Sequence, residues 1–140
     1  RMEMVDLASS FLLECESLDL EHQHLADIVN QVVKVIDDGE AEKCADLVSE
    51  FVKSAKEHFA NEEALLVTVG YPHAKNHQDH HKSLNAKMDH LIEFAKMAGV
   101  NHIARDSLRK ELVFFLMDDV ITTDMDFKSF IEEKAKTDNA

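Results

Sequence analysis

Apolar residues recur along the chain at spacings of three and four, the mark of helices with one buried stripe, and they do so in four blocks. The first runs from about Leu18 to Ile36, through Leu25, Ile28, Val29, Val32 and Val33. The second, about Ala41 to Val69, carries Leu47, Val48, Phe51, Ala55, Phe59, Leu65 and Leu66. The third, about Pro72 to Ala98, carries Leu84, Met88, Leu91, Ile92 and Ala95. The last, about His102 to Phe130, carries Leu108, Leu112, Phe115, Leu116, Val120 and Phe127. Short breaks separate them: Asp37 to Glu40, with Gly39 suited to positive φ; Gly70 to Pro72, with Pro72 suited to a first helical turn; and Ala98 to Asn101. The pattern predicts an all-α chain, an antiparallel up-down-up-down four-helix bundle over residues 18–130. Residues 1–17 are apolar without clean periodicity and read as an arm packed across the bundle. Residues 131–140 are polar and read as a frayed tail. One domain over 1–140 is expected.

Composition agrees with this reading. Three Gly and one Pro are too few turn-formers for a sheet-rich fold. The net charge of −13 opposes binding to nucleic acid or an anionic membrane. No apolar run approaches the ~20 residues of a membrane span, and no signal peptide pattern is present, so no membrane insertion is expected. Cys15 and Cys44 lack a CxxC spacing and read as reduced thiols of a cytoplasmic protein. The opening "RMEMV" leaves room for a longer natural chain.

The helical placement changes the meaning of the histidines. Five of the nine fall within residues 57–84. His58 and Glu62 are four apart on the second helix, and His77 and His81 are four apart on the third, so each pair shares a face. The turn at Gly70 brings the two pairs to similar heights, and their apolar neighbours direct them inward. His22 lies in the buried arc of the first helix between Leu18 and Leu25. Such groups would cost several kcal/mol if buried without partners, and a bound cation removes that cost. Imidazole with carboxylate suits iron, manganese or zinc. On the last helix, Asp119 and Asp124 are five apart, roughly 140° on an α-helix. They could straddle a metal pair or belong to a solvated acidic face together with Asp118 and Asp126. His24, His73, His80, His90 and His102 are expected to face solvent, and Met88, Met97 and Met117 to fill core.

Together these segments resemble the hemerythrins, specifically bacteriohemerythrin domains, over about residues 9–127. The chain carries D-x-x-H-x-x-L at Asp19, His22 and Leu25. "HFANEE" from His58 resembles H-F-x-x-E-E, and "YPHAKNHQDHH" from Tyr71 resembles Y-P-x-x-x-x-H-x-x-x-H. "FFLMDDVITTD" stands where the family has W-L-x-x-H-I-x-x-x-D. The resemblance implies a non-haem centre of two iron ions, oxo- or hydroxo-bridged, that binds O2. It assigns His22 and His58 to the iron with the open position, His77 and His81 to the other, and Glu62 and Asp124 to the bridges. Three positions depart from the family: Asp119 replaces its fifth histidine, Phe115 its tryptophan, and Glu14 a glycine of the arm. As a ligand, Asp119 would favour the ferric state and shorten the life of the oxy form. Alternatively it points away, and water or another carboxylate such as Glu14 fills the position. The implied function is O2 binding or O2/redox sensing, in the latter case beside other domains of a signalling chain, rather than catalysis. The alternatives are a di-iron enzyme acting on peroxide, NO or O2, and iron storage.

Overall fold

The computed structural model describes residues 10–138, all of it helices and short connections with no strand among them. Helix α1 spans Ser10–Asp37, α2 Cys44–Thr68, α3 Ala74–Ser83, α4 Asn85–Met97, α5 His102–Phe114 and α6 Thr123–Asp138. A 3-10 turn, Ala41–Lys43, leads into α2, and a π-helical segment, Phe115–Thr122, joins α5 to α6. These pieces make four rods. α3 and α4 form one rod, jointed at Leu84, whose backbone remains in the right-handed helical region. α5, the π segment and α6 form another. α1 packs on α2, α5 and α6; α2 packs on α3 and α4; and α4 packs on α5, which is the expected four-helix bundle.

The turns follow from local chemistry. Among the described residues, Gly39 (φ 77°) and Gly70 (φ 71°) are those with positive φ, and each closes a helix in the same way. Gly39 N donates to Ile36 O and Glu40 N to Val35 O; Gly70 N donates to Val67 O and Tyr71 N to Leu66 O. This double bond pattern satisfies the last carbonyls of α1 and α2 and needs a left-handed residue at its centre. At the third turn, the Asn101 side chain accepts from the backbone of Ile103 (2.9 Å) and Ala104 (3.0 Å), capping α5.

Several boundaries differ from the sequence pattern. α1 begins at Ser10, so residues 10–17 continue the helix instead of forming an arm. Cys15 and Leu18, both buried, extend its inward stripe toward Leu25 at helical spacing. Residues 1–9 of the expected arm lie outside the described residues, as does the side chain of Glu14. α6 runs on to Asp138 because Ile131, fully buried, gives it another inward contact beyond Phe130. Pro72 sits two residues ahead of α3 rather than in its first turn. Met88 is core, but Met97 and Met117 are about half exposed, Met97 at the end of α4 and Met117 on the outer side of the π segment. No described helix is long and apolar enough to cross a membrane.

The apolar core comes in two clusters. One contains Leu25, Ile28, Val48, Phe51, Met88, Leu112, Phe115 and Val120, and the other Cys15, Leu18, Leu65, Leu66, Val69, Phe127 and Ile131. Phe51 is fully buried and meets Phe115 edge to face at 5.8 Å between ring centres. We expect Phe51→Ala to destabilise the metal-free protein by about 3–5 kcal/mol. Val100→Ala, at a side chain that is almost fully exposed, should stay within about 0.5 kcal/mol. Urea denaturation followed by circular dichroism measures both.

Candidate metal centre

Each rod changes from one apolar cluster to the other across a polar residue. On α1 His22 stands between Leu18 and Leu25; on α2 His58 and Glu62 stand between Ala55 and Leu65. On α3 His77 and His81 precede Leu84, and on the last rod Asp124 stands between Val120 and Phe127. All but His22 are buried, and His22 is nearly so, with 16% of its side chain accessible.

These six side chains converge. His22, His58, Glu62 and Asp124 each offer one atom within 4.8 Å of the others, and so do Glu62, His77, His81 and Asp124. The two carboxylates belong to both groups, and their oxygens divide the work. Asp124 Oδ2 lies 2.7 Å from His22 Nε2 and 3.2 Å from His58 Nε2, and Glu62 Oε2 lies 2.6 Å from His58 Nε2. On the other side, Glu62 Oε1 lies 3.2 Å from His77 Nε2 and 3.1 Å from His81 Nε2, with Asp124 Oδ1 3.3 Å from His77 Nε2. Each acid thus turns one oxygen toward each imidazole pair.

The rings are held from outside the cluster. His58 Nδ1 donates to Glu21 at 2.7 Å, and Glu21 also accepts from Asn61 at 2.7 Å. His81 Nδ1 donates to Glu63 at 2.7 Å, and Glu63 also accepts from Gln78 at 3.4 Å. With Nδ1–H so engaged, Nε2 is the nitrogen that faces the interior and that would offer its lone pair to a cation displacing its proton, as a ligating imidazole requires. Phe59 stacks on His81 at 4.0 Å, and Phe127 stands edge-on to His77 at 5.3 Å. Glu63 stood beside Glu62 in the sequence, but which helix it would face was not legible there. Glu21, adjacent to His22, gave no sign that it would reach across to His58.

Asp119 departs from the expectation. Its carboxylate is not in either group; it pairs with Lys87 Nζ at 2.9 Å, and its backbone carbonyl accepts from His80 Nε2 at 3.0 Å. His80 is accordingly half-buried rather than solvent-facing. The π segment explains the geometry of this rod. Leu108, Leu112, Leu116, Val120 and Asp124 are all buried at a spacing of four. On a pure α-helix that spacing would drift roughly 160° from the first to the last. The wider π turns absorb the drift and keep Asp124 inward.

The donor set fits a metal. Glu62 Oε2 is buried and lacks a hydrogen bond of acceptable geometry, despite its closeness to His58 Nε2. Two buried acids among four imidazoles otherwise hold protons between them. Burial works against charge on His58, but Asp124 and Glu62 overcome it and push the ring up to about 10. The same balance pushes His77 up to about 9. Burial opposes the charge of Asp124 too, yet hydrogen bonding with Glu62, His22, His58 and His77 holds it well below the usual carboxylate range.

Beside His22 and Asp124 lies a cavity of about 90 Å³, also lined by Cys15, Leu18, Ile121 and Phe127. The Lys128–Asp19 ion pair (2.8 Å) lines it as well, with both side chains partly exposed.

The raised histidines set a pH dependence. Their contribution to the stability of the metal-free protein is complete below about 6.5, the unfolded value, and is lost as pH rises through about 9 to 10. The melting temperature of chelator-treated protein is expected to fall by several degrees across that window. A cation must displace those protons, so the stabilisation it adds should grow over the same range. Parallel melts with and without metal measure both trends; a flat profile for the stripped protein would refute the ion-pair arrangement.

No curated protein and no solved structure matches the chain. The family model described as hemerythrin HHE cation binding domain matches residues 15–123, a span that contains five of the six converging residues and ends one residue before Asp124. With an all-helical bundle, four inward imidazoles and shared acids already in place, the chain belongs to the hemerythrin HHE cation-binding family.

Proposed function

We propose that this domain holds two iron ions, one in each group of four donors, and binds O2 or reports on it as a sensor. The observation that carries the reading is the division of the carboxylate oxygens between the two imidazole pairs, a pattern suited to two cations sharing two bridges. His22 and His58 serve one ion, His77 and His81 the other, and Glu62 and Asp124 both. Iron supplies the ability to exchange electrons with a small oxidant.

The chain's own residues supply the surroundings. Glu21 and Glu63 fix the ring orientation of His58 and His81 and raise the basicity of Nε2. Phe59 and Phe127 exclude water from the His77 and His81 side. The 90 Å³ cavity at His22 and Asp124 has room for a diatomic molecule next to the metal donors. We place the protein in the cytoplasm, where Cys15 and Cys44, both buried and unpaired, remain thiols.

Anaerobic reconstitution followed by metal analysis and visible spectroscopy tests the proposal. Two irons per chain are expected, with absorption that appears on adding O2 and is bleached by dithionite. Sustained turnover of peroxide or NO would point to an enzyme instead, and loose exchange among several metals to storage. Glu21→Gln and Glu63→Gln should each weaken iron binding by about 10–100-fold in competition with a chelator. Unchanged affinity in both would remove the outer acids from the account.

A further inference from the structure

The π-helical segment is an uncommon backbone that has to be held. It is anchored at its entry, middle and exit. At the entry, Lys87 Nζ lies 5.3 Å from the ring centre of Phe114, the last residue of α5. In the middle, Asp119 takes Lys87 on its carboxylate and His80 on its carbonyl, tying the segment to α4 and α3. At the exit, the Thr122 and Thr123 hydroxyls donate to the carbonyls of Met117 (2.8 Å) and Asp118 (3.1 Å), each five residues back. The next residue is Asp124. An α-helix turns further per residue than a π-helix, so relaxation to α would add about one residue's worth of winding and rotate Asp124 by roughly 100°.

We propose that Asp119 is a positioning residue: with Lys87 and His80 it clasps the π segment in the register that presents Asp124 to the metal centre. An exposed ion pair contributes little by itself. This one differs in that the Asp119 side chain is only 12% accessible and the same residue's backbone is bonded to a third element. The inference rests on the proposed role of Asp124 as a metal ligand.

Cobalt(II), whose visible bands report its donors, is the probe. Its affinity is measured by chelator competition in wild type, Lys87→Met, Asp119→Asn, the double variant and Lys87→Arg, well below the melting temperature of each. The clasp predicts about tenfold weaker binding in either single variant, with no further loss in the double. Both singles should shift the cobalt bands alike, and Lys87→Arg should retain wild-type affinity. Thr122→Val, which loosens the exit without touching Lys87, should shift the bands in the same direction and stands in for any variant that does not fold. If Asp119→Asn alone weakens binding, Asp119 acts as a ligand and the clasp is wrong. Wild-type affinity and bands in Lys87→Met, or in Thr122→Val where it stands in, also overturn it. Failure of the wild type to bind cobalt would instead overturn the metal-centre reading beneath it.

Discussion

The structure depends on a buried polar layer that separates two apolar clusters. Four imidazoles and two carboxylates, one or two from each rod, occupy the level at which each rod passes from one cluster to the other. Burying such groups without partners is unfavourable by several kcal/mol each. They tolerate the interior because each faces another, and Glu21 and Glu63 extend the network to solvent. Removing a single member leaves its partners unsatisfied, so the layer behaves as a unit.

That requirement explains features that would otherwise look unrelated. Glu62 sits at the crossing of both imidazole pairs with one oxygen lacking a proper hydrogen bond, an arrangement that a protein-only network does not complete and a cation does. The raised histidines and depressed Asp124 are two views of the same unfinished compensation. The net charge of −13 has a related reading, since carboxylates that hold cations carry less charge than a formal count suggests.

The last rod meets the layer by a different device from the other three. α1, α2 and α3 present their polar residues through ordinary α-helical spacing, whereas the fourth keeps a four-residue repeat inward by widening its turns. Asp119, at the middle of that widened stretch, faces Lys87 rather than the interior. Asp119 is therefore not the third carboxylate of the layer that its position in the family motif suggested.

The sequence by itself determined the four rods, the turns at Gly39 and Gly70, and the inward faces of His22, His58, Glu62, His77 and His81. It could do so because helical periodicity and left-handed glycines are local properties, read from residues a few positions apart. It also placed Asp124, although spacing alone left that residue balanced between ligand and acidic surface until its resemblance to a family motif was added. Only the tertiary structure decided the rest. Which oxygen faces which ring, the reach of Glu21 to His58, and the outward turn of Asp119 depend on contacts between helices far apart in the chain. The π segment belongs with these: its four-residue repeat can be read in the sequence, but the widening of the backbone that follows it shows only in the fold, where Asp119 meets Lys87 and His80 from neighbouring rods.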